Sequence, residues 1–338
     1  MGIVKKHANR YVQQALLQEQ RLRRLPNSQY FEIAPSWAIE RSRFPRSYWP
    51  IAGISAGLKN WKVATRHDGA RALSETISTS LNCSLMSSRA LLLFNHVCAS
   101  QLWLDQAYLL SAKPAELQNY VSNKVLLETP IPLGEINTLL RLPSLFLIST
   151  FASHYYAILA LAQRMKSQLK ISIVQPAVAL KHLSEVRFYD RLAKLFGIDF
   201  ELIQSDANTA LVRALHALKK GRHVALRFDS LPTEANTFVS SELLGKPSIF
   251  PLAILKLSDM TQRPIIPIAS VRKGTQIKLF LDNPVSVSGL HNQSYIDAAI
   301  EIDSFQTKYI RKFPVQYSAW FGVHQKWTRA EEIASLAA

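Results

Sequence analysis

Apolar positions recur at helical spacing between residues 4 and 25, where Val4, Ala8, Tyr11, Val12, Ala15, Leu16, Leu22 and Leu25 alternate with Lys5, Lys6, Arg10, Arg21, Arg23 and Arg24. This predicts a basic amphipathic helix, suited either to an anionic membrane surface or to packing on the protein with a solvated face. Pro26, Pro35, Pro45 and Pro50, with Trp37 and Trp49, turn 26–50 into an irregular strap. Helical spacing resumes at 69–81, 87–110 and 114–127, the last opened by Pro114. Beyond residue 140 the character changes. Short apolar runs at 145–151, 171–174, 223–228, 265–271 and 277–281 alternate with helical stretches at 155–168, 182–196, 207–219, 249–259 and 293–312. Such alternation predicts an α/β fold, a central mixed and largely parallel sheet flanked by helices, with a helical N-terminal region.

Leu142 to Gln163 carries no charged residue and has the length of a membrane span. Within it, however, Leu145-Phe146-Leu147-Ile148-Ser149-Thr150-Phe151 has strand character, and Ser153-His154 follows like a strand-to-helix junction. Burial in a protein core explains the composition equally well, and a histidine at mid-bilayer is costly.

At 338 residues, 48% apolar and 19% charged, the chain is a folded protein with a sizeable core. Forty Lys plus Arg against 24 Asp plus Glu leave +16, which calls for an acidic partner: nucleic acid, anionic lipid or an acidic carrier protein. Cys83 and Cys98 are too few for a disulfide framework and lack metal-ligand spacing, which fits a reducing compartment. Met1-Gly2-Ile3-Val4-Lys5-Lys6 gives no cleavable signal, and Lys6 stands where a myristoylation signal needs Ser or Thr.

Four units carry the candidate chemistry. His154 follows a buried strand and precedes a helix, an apolar setting that lowers an imidazole pKa and leaves the neutral form available as a general base. Its alternative is a hydrogen-bonded core histidine. Next, Leu218-Lys219-Lys220-Gly221 closes a helix at a glycine, and the following strand leads to Arg227 and Asp229 at its carboxyl end, the edge where α/β sheets gather their sites. Asp229 capping a turn is the competing role. Third, Arg263-Pro264-Ile265-Ile266-Pro267 opens a strand pair with a cationic turn at Arg272-Lys273-Gly274. Last comes Pro314-Val315-Gln316-Tyr317, then Trp320 and His324-Gln325-Lys326-Trp327, whose composition fits an RNA-stacking patch, a membrane belt or a packed C-terminal cap.

In this order the four units resemble the bacterial lipid A biosynthesis acyltransferases and their lysophospholipid acyltransferase relatives, over residues 58–330. Those enzymes open an H-x4-D/E motif at the end of a strand and close with a P-x-Q-W/Y…W…H-x-R/K-W signature. The resemblance implies a glycerol-3-phosphate acyltransferase-like fold and transfer of a fatty acyl group from acyl carrier protein or acyl-CoA to a lipid or other hydroxyl or amine acceptor. It implies His154 as general base, with Asp229 as its carboxylate partner and Arg187, Arg227 and Arg272 as substrate-binding candidates; Arg191 is a further candidate for the family's mid-sheet arginine. No metal and no bound cofactor are called for. Residues 1–57 then form a membrane-associated extension and 331–338 a tail. The expected setting is the cytoplasmic face of the inner membrane, held peripherally on anionic lipid, with acyl carrier protein and not nucleic acid as partner. One position departs from the motif: Leu159 stands where the family has Asp or Glu. That substitution opens a second expectation, a catalytically inactive acyltransferase-like protein that binds lipid or carrier.

Overall fold

The computed structural model describes residues 68–151, 155–165, 169–175, 183–204, 209–229, 237–287 and 292–337, with a few helical positions between 51 and 58. The expected helix at 4–25 and the strap at 26–50 lie outside the described residues.

Three helices, α1 (Asp68–Leu81), α2 (Leu85–Ser111) and α3 (Pro114–Lys124), lead into strand β1 (Val125–Glu128) and helix α4 (Leu133–Arg141). There follow β2 (Leu145–Ile148), α5 (Tyr155–Arg164), β3 (Lys170–Gln175), α6 (Leu183–Phe196), β4 (Asp199–Gln204), α7 (Ala210–Lys219) and β5 (His223–Leu226). A hairpin, β6 (Phe238–Leu243) and β7 (Lys246–Pro251), precedes α8 (Leu252–Thr261), β8 (Ile265–Lys273), β9 (Gln276–Leu281), α9 (Asn292–Lys312) and α10 (Trp320–Ala337). Local chemistry sets several of these ends. The Ser84 hydroxyl accepts the Ser87 N–H at 3.1 Å and so satisfies an orphan donor of α2. Pro114 occupies the first turn of α3, where its missing N–H is not needed. Gly221, at φ +81°, closes α7: its own N–H reaches Leu218 O at 3.1 Å and the Arg222 N–H reaches Ala217 O at 3.0 Å, so two open carbonyls are satisfied.

Seven strands form one mixed sheet in the order β1-β9-β8-β2-β5-β3-β4. β8, β2, β5, β3 and β4 run parallel, β9 is antiparallel to β8, and β1 lies parallel to β9. The expected α/β architecture, a largely parallel mixed sheet flanked by helices with a helical N-terminal region, is the one observed. α3, α5 and α6 cover the face carrying Phe146, Ile148, Ala225 and Ile268. Residues of α7, α8 and α9 cover the opposite face, with Leu145, Leu147 and Val224. A third cluster joins α9, α10 and the ends of β8 and β9.

Two predicted helical stretches turn partly to strand. Helical spacing carried the third predicted helix to 127, yet the chain turns to strand at Val125, because Val125 is buried and 125–128 gain a full ladder with β9. The helix expected at 249–259 begins as strand: Ile249 and Phe250 are buried in the hairpin with β6, and α8 starts at Leu252. The uncharged stretch Leu142 to Gln163 is divided between β2 and α5, so it is not a single helix. Among the described residues no helix is long and apolar enough to cross a membrane. α10 runs across position 330, which the motif pattern took as the end of the domain.

Candidate active site

Chain order and sheet order together mark one place on the sheet. From β2 the chain crosses through α5 to β3, which lies beyond β5; from β5 it leaves through β6, β7 and α8 to reach β8 on the other side of β2. α5 packs on one face of the sheet and α8 on the other. The helices that follow β2 and β5 therefore pack on opposite faces, which makes the carboxyl ends of these neighbouring strands a topological switch point, the place where α/β sheets gather their sites.

Asp229 lies there, three residues past the end of β5 and 1% exposed. Its Oδ2 accepts the Thr150 backbone N–H at 2.5 Å and its Oδ1 accepts the Thr150 hydroxyl at 2.6 Å. Thr150 stands just past the end of β2, so a single carboxylate bridges the two strand ends. Burial pushes the Asp229 pKa above its ordinary value; the two Thr150 hydrogen bonds and the charges of Arg227 and Lys326 act against that rise.

The C-terminal segment closes over the same point. The Ser318 N–H and hydroxyl both donate to Thr150 O, at 2.9 and 2.7 Å, and Phe151 pairs with Tyr317 in an isolated antiparallel bridge. Asn95 of α2 donates to Tyr317 O at 2.6 Å and to Val315 O at 3.1 Å. Gln316 grips the Arg272 backbone, accepting its N–H at 2.7 Å and donating to its carbonyl at 2.8 Å. Beneath this lies a buried polar cluster. Gln306 donates to the Tyr317 hydroxyl at 2.8 Å, Ser241 donates to Asp303 at 2.7 Å, and Lys326 reaches Asp303 at 3.4 Å. Burial raises the Tyr317 pKa, and the nearby Asp229 and Asp303 carboxylates raise it further.

The predicted site residues fall as follows. Asp229 is at the switch point, and Arg227 is half-buried two residues before it. His154 lies outside the described residues, four positions after Thr150 in the chain. Arg187 lies on α6. On the same helix the Arg191 guanidinium donates to Leu109 O at 2.9 Å and to Ala112 O, where it caps the end of α2. Arg272 forms an ion pair with the buried Asp105 of α2, which also accepts the Tyr156 hydroxyl at 3.3 Å. Leu159 is fully buried in the apolar core. Tyr317, Trp320 and Trp327 are also buried, so of the three roles open to the aromatic segment the packed cap is the one observed.

Sequence reasoning missed Thr150, Ser318, Asp303 and Gln306. A signal existed for the last two. Asp303 and Gln306 interrupt the apolar stripe Ile302, Phe305, Tyr309 and Ile310 of α9, and a polar residue at a core position marks a buried partner. Among the described residues no group of His, Cys, Asp or Glu is arranged to hold a metal ion. An open groove of about 520 Å³ between the end of β9 and α9, lined by Asp282, Asp297, Ile300 and Glu301, includes neither Thr150 nor Asp229. No protein-family model matches the chain, and no curated protein matches it.

Proposed function

We propose that the protein is an acyltransferase that moves a fatty acyl group from acyl carrier protein or acyl-CoA to a hydroxyl or amine acceptor, acting peripherally at the cytoplasmic face of the inner membrane. The observation that carries this reading is the buried Asp229 carboxylate gripping Thr150 at the β2/β5 switch point, four residues before His154. His154 takes the proton from the acceptor as its oxygen or nitrogen attacks the thioester carbonyl, and gives a proton to the departing thiolate. Asp229 orients the imidazole, and backbone N–H groups at the start of α5 stabilise the oxyanion. The thioester is already activated, so neither a metal nor a cofactor enters. The +16 charge draws the protein to anionic lipid and to an acidic carrier. Exposed Met86 and Phe94 on α2 add apolar contact at that surface.

Leu159 supports a second reading, an inactive acyltransferase-like protein that binds lipid or carrier. At the position where the related motif has its acidic residue, this chain packs a leucine into the core, and Asp229 already spends one lone pair of each oxygen on Thr150. One experiment separates the two. Purified protein is mixed with acyl-CoA and with acylated carrier protein in the presence of lysophospholipid vesicles, and free thiol is timed. The enzyme reading predicts thiol release above the uncatalysed rate, abolished in His154→Ala; equal rates for the two proteins remove His154 from the reaction.

A further inference from the structure

The amino edge of the sheet, opposite the switch point, gathers positive charge. β8, β2, β5, β3 and β4 run parallel and start side by side: the Leu145 N–H reaches Pro264 O at 3.0 Å, the Val224 N–H reaches Ser144 O at 3.0 Å, Ile171 pairs with His223, and Lys170 pairs with Asp199. Each of the five strands is entered past a cation. Half-buried Arg263 precedes β8, and exposed Arg141 precedes β2; exposed Lys219 and Lys220 precede β5, Lys170 opens β3, and Lys194 precedes β4. Two acids of this rim are engaged already, Asp199 accepting from Arg222 and Asp259 from the Tyr295 hydroxyl, both at 2.7 Å. At a strand spacing of about 4.8 Å the five starts span roughly 20 Å, so neighbouring cations repel within about one Debye length. The helix dipole accounts for Arg141, Lys194 and Lys219, each in the last turn of its own helix. It gives no reason for Lys170 and Arg263, which lie outside any helix. Two apolar side chains stand among these charges: Leu142, next to Arg141, is 49% exposed, and Met260, in the last turn of α8, is 60% exposed.

We propose that this rim docks a second protein through an acidic segment that also carries apolar side chains, its carboxylates facing the cations and its apolar groups covering Leu142 and Met260. Charge complementarity selects a polyanion, and the two exposed apolar side chains select among polyanions. A nucleic acid backbone would set phosphate against both of them. The rim segments also offer, among their described residues, no exposed aromatic ring on which a base would stack. An anionic bilayer could cover the apolar pair, but docked on this rim it would turn the carboxyl edge, with Thr150 and Asp229, away from the lipid. That exclusion rests on the acyltransferase reading, in which the acceptor comes to the carboxyl edge. The same geometry separates this partner from the carrier that brings the donor, because the donor's thioester must also reach the carboxyl edge.

The test titrates the full chain with a fluorescent helical peptide that has glutamate on one face and leucine on the other, and separately with phosphatidylglycerol vesicles and duplex RNA. Wild type binds the peptide, more weakly as salt rises. Reversing three rim charges together, Arg141→Glu, Lys219→Glu and Lys220→Glu, weakens peptide binding by about tenfold or more. Leu142→Ser with Met260→Ser weakens it at constant charge. A control with the same change in net charge but away from the rim, Lys124→Glu, Lys273→Glu and Lys312→Glu, weakens it by less than about threefold. Peptide binding that survives the rim reversal, or falls as far in the control, overturns the proposal. Rim-dependent binding of vesicles or RNA tighter than that of the peptide overturns it as well, in favour of a bilayer or a nucleic acid. Thiol release to a soluble acceptor keeps the two readings apart: the rim reversal leaves it unchanged, and no release from wild type defeats the acyltransferase while the three titrations still decide what the rim binds.

Discussion

Thr150 gives Asp229 two donors from one residue, its N–H to one carboxylate oxygen and its hydroxyl to the other, at 2.5 and 2.6 Å. Both favour the charged carboxylate, and both fix the strand end that leads toward His154. Thr150→Val keeps the shape and the N–H but removes the hydroxyl donor from a buried acceptor, which costs about 1–3 kcal/mol of stability. It also drives the Asp229 pKa further up, because a hydrogen bond that opposed the rise is gone. Under the enzyme reading, thiol release at neutral pH falls by about 10- to 100-fold in this variant, the range expected when a positioning contact is lost. Thermal unfolding and thiol release measured side by side check it. A stable variant with full activity contradicts the positioning role. None of this was legible from Thr150 in the sequence, where it is one polar residue near the end of an apolar run.

His223 ties elements together at the opposite edge of the sheet. It starts β5, its Nδ1 accepts the Ser144 N–H at 3.2 Å ahead of β2, its ring stacks on Phe146 at 4.9 Å, and it bonds to the backbone of Leu140 in α4. Burial lowers its pKa to about 4, with the Leu140 hydrogen bond opposing the shift. Burial lowers His96 of α2 to about 4 as well. A depressed native pKa means that the unfolded chain binds the extra proton first. The stability each histidine supports is whole above pH ~6.5 and is lost as the pH falls toward 4. Urea unfolding should therefore show stability declining between pH 6.5 and 4, and His223→Gln, which retains a donor and an acceptor, should remove up to about 3 kcal/mol of that decline. An identical pH slope in the variant contradicts this account. At this scale the sequence was informative where an element had both period and punctuation: the glycine stop of α7 and the strand of β8 needed no tertiary knowledge. β1 and β7 were not legible: Val125–Glu128 takes strand geometry from β9, distant in the chain, and Ile249–Pro251 takes it from the neighbouring hairpin strand β6.

In the whole molecule, the alternation of short apolar runs with helical stretches was enough to foresee an α/β sheet, because each strand buried on both faces leaves an unbroken apolar run. The site was only partly legible for a physical reason. A strand-end carboxylate is visible as Asp229 after the run His223–Leu226, but strand order is not written in the chain, and only the order places β5 beside β2. The cap formed by the segment before α10 likewise depends on contacts that span more than 150 residues, such as Ser318 to Thr150. The central claim is that Asp229 and His154 work as one unit at that junction. A double-mutant cycle on thiol release measures it: Asp229→Asn, His154→Ala and the pair together. A shared mechanism predicts that the double variant loses little more than His154→Ala alone. Losses that simply multiply, or a full rate in Asp229→Asn, would mean that the two residues act separately and that the junction is not the seat of the reaction.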